Sequence, residues 1–281
     1  MIAVVTDSTC DIPQDVIEQS GIHVIPALIT IGQQTLPDGV GITREEFYER
    51  LPRMRPLPKT SAPSPAAFME VYDRVLQKAG AIVSIHAASK LSGIYNAARL
   101  AARQIAPQRI HLVDSGQVSM GLGWAVLAAV EAIRRSANIE AVLDSVQDTL
   151  ARIKLFAVLN TLEYLARSGR INLVQAGLGT LLNIKPMVEL REGVVSTVTR
   201  VRTWSRAVHA LTNRLRQSAP FERLAVMHTN CAECAHDLLE RVRDVIPQRG
   251  EVVVTHATTV IGTHVGPGAL GFAAVTTQAA R

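Results

Sequence analysis

The sequence predicts an α/β fold in two parts, an N-terminal parallel-sheet α/β domain over residues 1–150 and a C-terminal α+β domain over 151–281. Three observations carry this reading. Through the first half, short β-rich runs alternate with helical stretches, the pattern of parallel βαβ units with helices on both faces. In the second half two adjacent strand-like runs, 185–190 and 194–201, are joined by Arg191-Glu192-Gly193, which makes a hairpin and therefore antiparallel sheet. Finally, 281 residues at 48% hydrophobic and 19% charged suit about two domains, with chain enough to enclose a cavity as well as a core.

Taken in order, Ile2-Ala3-Val4-Val5-Thr6 is a buried strand, 13–19 a helix, and 23–31 a second strand stopped by Gly32. Thr43-Arg44-Glu45-Glu46 fits a capping box, with Thr43 as the cap and Glu46 reaching back to it. Ser64-Pro65 places a cap before a proline at the first helical position, opening a helix to about residue 79. Strand 81–85, helix 92–104, strand 110–113 and helix 119–135 complete the first half. Helix 138–153, strand 156–159 and helix 161–167 then precede the hairpin. Helix 205–217, strand 224–228, helix 231–245 and strand 251–256 follow it.

Composition excludes several function classes. The net charge of +5 is scattered through helices, as at Arg99, Arg103, Arg134 and Arg135, and aromatics are only 4%. Nucleic-acid binding needs a basic stripe interleaved with aromatics, so no nucleic-acid partner is expected. The longest apolar stretch, residues 120–130, is closed by Glu131 and falls short of the ~18 residues of a span, so no stable membrane insertion is expected. No basic segment precedes the first strand, and three cysteines in so long a chain argue against a disulfide framework. A cytoplasmic setting is the expectation.

Ligands of α/β sheets sit beyond the carboxyl ends of parallel strands. Those ends here carry Thr6-Asp7-Ser8-Thr9, Ser89 to Ser92, and Asp114-Ser115, and Lys59-Thr60-Ser61-Ala62-Pro63-Ser64 adds hydroxyls before a helix start. Hydroxyls and free amides at helix N-termini make a cradle for an anion, although plain N-capping accounts for any single one of them. Four glycines and a proline surround His264 in the tail segment 262–271, so backbone can approach a ligand closely there while imidazole supplies a hydrogen bond. His228, Cys231, Cys234 and His236 have a zinc-like look, but there is no second cysteine pair, and helix packing explains the same spacing. A serine hydrolase acting on acyl esters could be assembled from Ser92, His264 and Asp7 or Asp114, without the usual Gly-x-Ser-x-Gly elbow.

Taken together these segments resemble the DegV family of bacterial fatty-acid-binding proteins. The likeness rests on Thr6 to Thr9, Lys59 to Ser64, Leu91-Ser92-Gly93-Ile94-Tyr95-Asn96 and Val113-Asp114-Ser115. It continues through Leu162-Glu163-Tyr164-Leu165, Gly169-Arg170-Ile171, Ile184-Lys185-Pro186, Arg202-Thr203 and Gly262 to Gly268, in family order. The resemblance implies a two-domain fold with a deep apolar tunnel between the domains and one long-chain fatty acid inside. The carboxylate would be held by Thr60 and Ser61, by Ser92 beside Gly93, and by His264, with Asp7, Ser8, Asp114 and Ser115 in support.

It also implies a non-catalytic role, as the lipid-binding subunit of a fatty acid kinase. A separate ATP-dependent kinase subunit would phosphorylate the presented carboxylate to an acyl phosphate that feeds phospholipid synthesis. Arg170 and Arg202 would belong to the docking surface, and neither cofactor nor metal is implied. Ala62, Ile94 and Ser168 stand where the family usually has glutamine, threonine and glycine. The energetics agree: about 14 methylenes of an acid of roughly 16 to 18 carbons yield ~11 kcal/mol gross at about 0.8 kcal/mol each. A carboxylate left bare in such a tunnel would be very costly, so hydroxyls and an imidazole must meet it. The carboxylate in turn should raise the pKa of His264.

Overall fold

The structure, a computed structural model, describes residues 1–171, 184–248 and 250–277. In chain order it contains β1 (Ile2–Asp7), α1 (Gln14–Ser20), β2 (His23–Ile25), β3 (Leu28–Ile31), β4 (Gln34–Pro37), α2 (Arg44–Arg50), β5 (Lys59–Ser61) and α3 (Pro65–Leu76). There follow β6 (Ala81–His86), α4 (Ile94–Ile105), β7 (Ile110–Asp114), α5 (Ser119–Arg135), α6 (Ile139–Arg152), β8 (Ile153–Val158), α7 (Glu163–Arg167), β9 (Lys185–Arg191) and β10 (Val194–Val201). The chain ends with α8 (Trp204–Ser218), β11 (Phe221–His228), α9 (Ala232–Arg241), β12 (Glu251–His256), α10 (Thr259–Val265) and β13 (Leu270–Thr276).

The expected start signals are in place. Thr43 Oγ1 accepts from the Glu46 amide (3.1 Å), and Ser64 Oγ accepts from the Ala67 amide (3.2 Å). Only half of the capping box forms, because the Glu46 carboxylate pairs with Arg50 one turn on (2.7 Å) rather than reaching back.

Strands β2-β1-β6-β7 form a wholly parallel sheet. Strands β10-β9-β8-β13-β11-β12 form a mixed sheet in which only β11 and β12 run parallel. The predicted class therefore stands: a parallel N-terminal sheet and a mixed C-terminal one. A third, three-stranded antiparallel sheet, β4-β3-β5, stands apart. One helix ties the two large sheets together. Helix α5 is apolar on nearly every side and buried almost throughout, as such a helix must be. Its Trp124 Nε1 donates to the Ala273 carbonyl on β13 (2.9 Å). Arg223 of β11 donates to both carboxylate oxygens of Glu131 (2.6 Å each). A single apolar cluster consequently runs from Val4 and Ile82 through Trp124 to Leu155 and Ala273.

The structure corrects several expectations. The strand expected over 23–31 is two strands in two different sheets, broken at Pro26-Ala27, because proline has no N–H for a ladder. Strands β4 and β5 are too short and too polar to announce themselves. Strand β13, which follows directly on the glycine-rich segment and shows no alternation of apolar and polar residues, lies central in the mixed sheet between β8 and β11. The expected glycine-rich loop over 262–271 is the end of α10, a turn through Gly266 (φ +76°) and Gly268 (φ +71°), and the start of β13. Lastly, Cys231 and Cys234 are joined as a disulfide where free thiols were expected.

Gly262 fixes how α10 sits. A Cβ there would lie 2.5 Å from Cε1 of Tyr48, whose hydroxyl donates to the carbonyls of Ala257 and Thr258 (3.1 Å each) and so cannot swing aside. Gly262→Ala should lower stability by about 1–3 kcal/mol through overpacking. A thermal melt unchanged from the parent would show that the contact is slack.

Candidate functional site

A cavity of about 290 Å³ lies between the two large sheets. One wall is the mixed sheet, through Leu155, Ala157, Val188, Leu190, Met227 and Leu270. The opposite wall is the carboxyl-end region of the parallel sheet, through Thr9, Ala87 and the N-terminal end of α4. Val260, Ile261, His264 and Val265 of α10 close it. The lining is overwhelmingly aliphatic.

Polar groups gather where three unconnected elements meet. Thr60 and Ser61 stand on β5, Ser92 and Gly93 lead into α4, and His264 stands on α10, and all five line the cavity. Thr60 Oγ1 and His264 Nε2 are hydrogen-bonded at 2.8 Å. Gly93 lies against Ala62, the residue after Ser61. Arg170 lines the same end, its Nε donating to the Leu91 carbonyl (3.3 Å) and its guanidinium to the Ser168 carbonyl. Ser61 and Gly93 are exposed, so this polar end is a mouth and not a sealed pole.

The hydrogen-bond accounting at that mouth is uneven. Thr9, Ser119 and Thr229 also line the cavity, but Asp7, Asp11 and the Gly266 carbonyl respectively satisfy them. Among the described residues His264 Nδ1 is buried with no hydrogen-bond partner. Burial, and then the charge of Arg170, push the imidazole down to about 4. The shift runs opposite to the one expected for a ring beside a carboxylate, and the ring is neutral at neutral pH. Ser92 Oγ accepts from the Ile94 amide (3.3 Å), which leaves its hydroxyl proton free to point inward.

The four residues expected in support lie one layer back; none of them lines the cavity. Asp7 is wholly buried and accepts from the Thr9 amide (3.1 Å), Thr9 Oγ1 (2.5 Å), His86 Nδ1 (3.0 Å) and the Ala87 amide (3.1 Å). Burial pushes its carboxyl up, but the bonds from His86, Thr9 and Ala87 outweigh it and hold the group below the usual carboxylate range. Ser8 Oγ accepts from the Ala27 amide (3.1 Å) on the far side of the strand end. Asp114 Oδ1 accepts from the Ser89 and Gly116 amides (3.1 Å each), and Ser115 Oγ donates to the His86 carbonyl (2.7 Å). Arg202 is exposed just before α8 and away from the lining.

Sequence reasoning named Thr9 but missed His86, Ser84 and Tyr72. Behind Asp7 runs a buried chain from His86 Nε2 to Ser84 Oγ (2.7 Å) and on to Tyr72 Oη (2.8 Å). Its signal was legible: Ser84 and His86 stand two apart, hence on one face, in an otherwise apolar strand. The hydrolase alternative is corrected. Asp7 is engaged with His86 and Asp114 with backbone amides, so neither carboxylate orients His264, whose bonded partner is Thr60 rather than Ser92. Among the described residues no three His, Cys, Asp or Glu are placed to hold a metal ion.

Comparison with known proteins agrees with this geometry. The model of the family described as "Uncharacterised protein, DegV family" matches residues 1–277. A DegV domain-containing protein of Streptomyces coelicolor is 35% identical over 274 residues, with 96% of each chain covered. The solved DegV family protein of Thermus thermophilus, described by its fatty acid binding, superposes with a TM-score of 0.90 at 34% identity, covering 98% of this chain and 99% of that one. DegV of Bacillus subtilis, described as a fatty acid binding protein, gives 0.88 at 29%, covering 98% and 99%. An aliphatic cavity with hydroxyls and a histidine at its mouth, on this topology and over this length of matching sequence, makes the chain a member of the DegV family.

Proposed function

We propose that this protein binds one long-chain fatty acid in the cavity and presents its carboxylate at the mouth to a separate ATP-dependent kinase subunit. The observation that carries the reading is the unpartnered, buried Nδ1 of His264 at the polar end of an aliphatic cavity. When Thr60 donates its hydroxyl to Nε2, the neutral ring carries its proton on Nδ1, where a carboxylate oxygen accepts it. Ser61 and Ser92 add hydroxyl donors, and Arg170 supplies the cation that keeps the buried anion affordable. Of the two arginines assigned to docking, exposed Arg202 keeps that role, while Arg170 faces the head group. The apolar wall takes the acyl chain, an acid of about 16 to 18 carbons as the family resemblance suggests, whose burial supplies the gain in free energy. Residues 1–150 and 151–281 then act as two domains closing on one ligand, with no resident cofactor. Among the described residues no helix is long and apolar enough to cross a membrane.

His264→Ala and Ser92→Ala should each weaken fatty-acid binding about ten- to a hundredfold. A hydrogen bond to a charged group contributes about 1.5–3 kcal/mol, and 1.4 kcal/mol is tenfold. Displacement of a fluorescent fatty acid reads this directly, and equal affinity in both variants sinks the head-group assignment. Acyl phosphate made from ATP and a DegV-partner kinase should fall in parallel; no product from the loaded parent protein sinks the kinase part alone.

A pH dependence follows with a definite sign. His264 and His228 are both pushed down to about 4, chiefly by burial, so between about 6.5 and 4 the unfolded chain binds protons that the folded one refuses. Their stabilisation is complete above that window and is lost as pH falls through it. Asp11, raised to about 6 by burial, acts in the opposite direction, so the informative quantity is a difference. Ligand-free His264→Gln should lose less stability in urea between pH 7 and pH 4.5 than the ligand-free parent. The loaded parent should also lose less, because the bound carboxylate raises the ring's pKa. Identical losses in all three would remove His264 from the head-group site.

A further inference from the structure

Cys231 and Cys234 play no part in the cavity. They stand at C-x-x-C spacing where β11 ends and α9 begins, within a β-α-β unit: β11 and β12 pair in parallel from Arg223↔Glu251 to His228↔His256, and α9 crosses between them. Cys231 is the N-cap of α9 and Cys234 the third residue of the helix. Their Cα atoms are 5.3 Å apart and their sulfurs are joined. In a chain without a disulfide framework, this spacing at the start of the helix of a βαβ unit is that of a redox dithiol and not of a structural staple. A bond between residues three apart closes too short a loop to constrain the unfolded chain much.

The surroundings give the two sulfurs different roles. The positive end of α9 and its free amides favour the thiolate over the thiol at both positions. Cys234 packs against the apolar cluster beneath the helix. Cys231 lies in the half-buried turn, its amide donating to His228 Nδ1 (3.3 Å), and His228 in turn lines the ligand cavity. The remaining cysteine, Cys10, is fully buried, and burial pushes its thiol far up, so it does not compete.

We propose that Cys231 and Cys234 form a reversible dithiol–disulfide couple that exchanges with a low-molecular-weight disulfide. In the oxidising direction the Cys231 thiolate attacks the disulfide of the small molecule, forming a mixed disulfide and releasing one small thiolate. The Cys234 thiolate then attacks Cys231 Sγ, closing the internal disulfide and releasing the second small thiolate. Two electrons pass from the protein dithiol to the small disulfide, and the two protons left by the cysteines end on the released thiols.

The test equilibrates the folded, full-length protein in buffers of graded reduced-to-oxidised glutathione ratio, quenches in acid, alkylates under denaturing conditions and counts labels by intact mass. The expected result is a single two-electron step from three labels at the reducing end to one, on Cys10, at the oxidising end. Cys234→Ser should trap one glutathione on Cys231, and Cys231→Ser should acquire it on Cys234 at least tenfold more slowly. Three labels throughout, or one label even under full reduction of the folded protein, overturns the proposal. So does one tightly held zinc per chain that keeps both thiolates from exchanging. The wild-type titration decides the matter even where a serine variant fails to fold.

Discussion

The site depends on one buried carboxylate. Asp7 sits at the carboxyl end of the first strand with no solvent contact, where an ion stripped of water would be several kcal/mol unfavourable. Its four hydrogen bonds relieve that penalty, and they come from two places, the turn through Thr9 and the end of β6 at His86 with the turn that follows at Ala87. Removing any of these bonds leaves charge uncompensated, so the two turns are held at fixed separation. Both turns line the cavity, and the second runs on into Leu91, Ser92 and Gly93. The position of the Ser92 hydroxyl is thus set by a carboxylate that never reaches the ligand. The His86–Ser84–Tyr72 chain extends the same restraint through the parallel sheet.

A second constraint keeps the space between the sheets open. Two sheets with apolar inner faces would ordinarily pack directly and fill the gap. Here α5 stands between them at one side, close enough that a Cβ on Gly121 would lie 3.1 Å from Leu155 Cδ1. Its apolar side chains pack into the shared cluster, while Trp124 and Glu131 fix the distance through directional bonds. At the other side β5 and α10 meet only at the mouth. Away from the mouth, what remains between is bounded by aliphatic carbon and by the Thr9, Ser119 and Thr229 hydroxyls, which the protein itself satisfies. An apolar chain is the natural occupant of such a space.

The alternation of strands and helices made the parallel sheet legible before any coordinate, and the hairpin was equally plain from Arg191-Glu192-Gly193. The wall of hydroxyls at strand ends was legible as well, because Ser, Thr and Asp after an apolar strand have few places to go but caps and ligands. What stayed hidden is instructive. Strand β13 follows directly on the glycine-rich segment and shows no alternation of apolar and polar residues, so no period of two marks it as a strand. The small sheet β4-β3-β5 is made of edge strands too short for any periodicity to show. Around Asp7, the sequence displayed the acid but not its partner, since His86 lies 79 residues away and reaches it only through strand pairing.

His264 shows the same limit in sharper form. Its glycine-rich neighbourhood drew attention to it, and it does face the ligand space, yet for a different reason from the one the composition suggested. The glycines do not make a pliable loop around a ligand. Gly262 lets a helix press against Tyr48, and Gly266 and Gly268 turn the chain sharply into β13. The imidazole is therefore carried on a short rigid helix clamped by its neighbour, with one nitrogen fixed by Thr60 and the other buried without a partner among the described residues. A group held so firmly, with no carboxylate behind it to drive proton transfer, is suited to gripping an anion rather than to activating a nucleophile. Because Ser61 and Gly93 beside it are exposed, a head group gripped there stays within reach of a second protein, which the closed end of the same cavity would not allow.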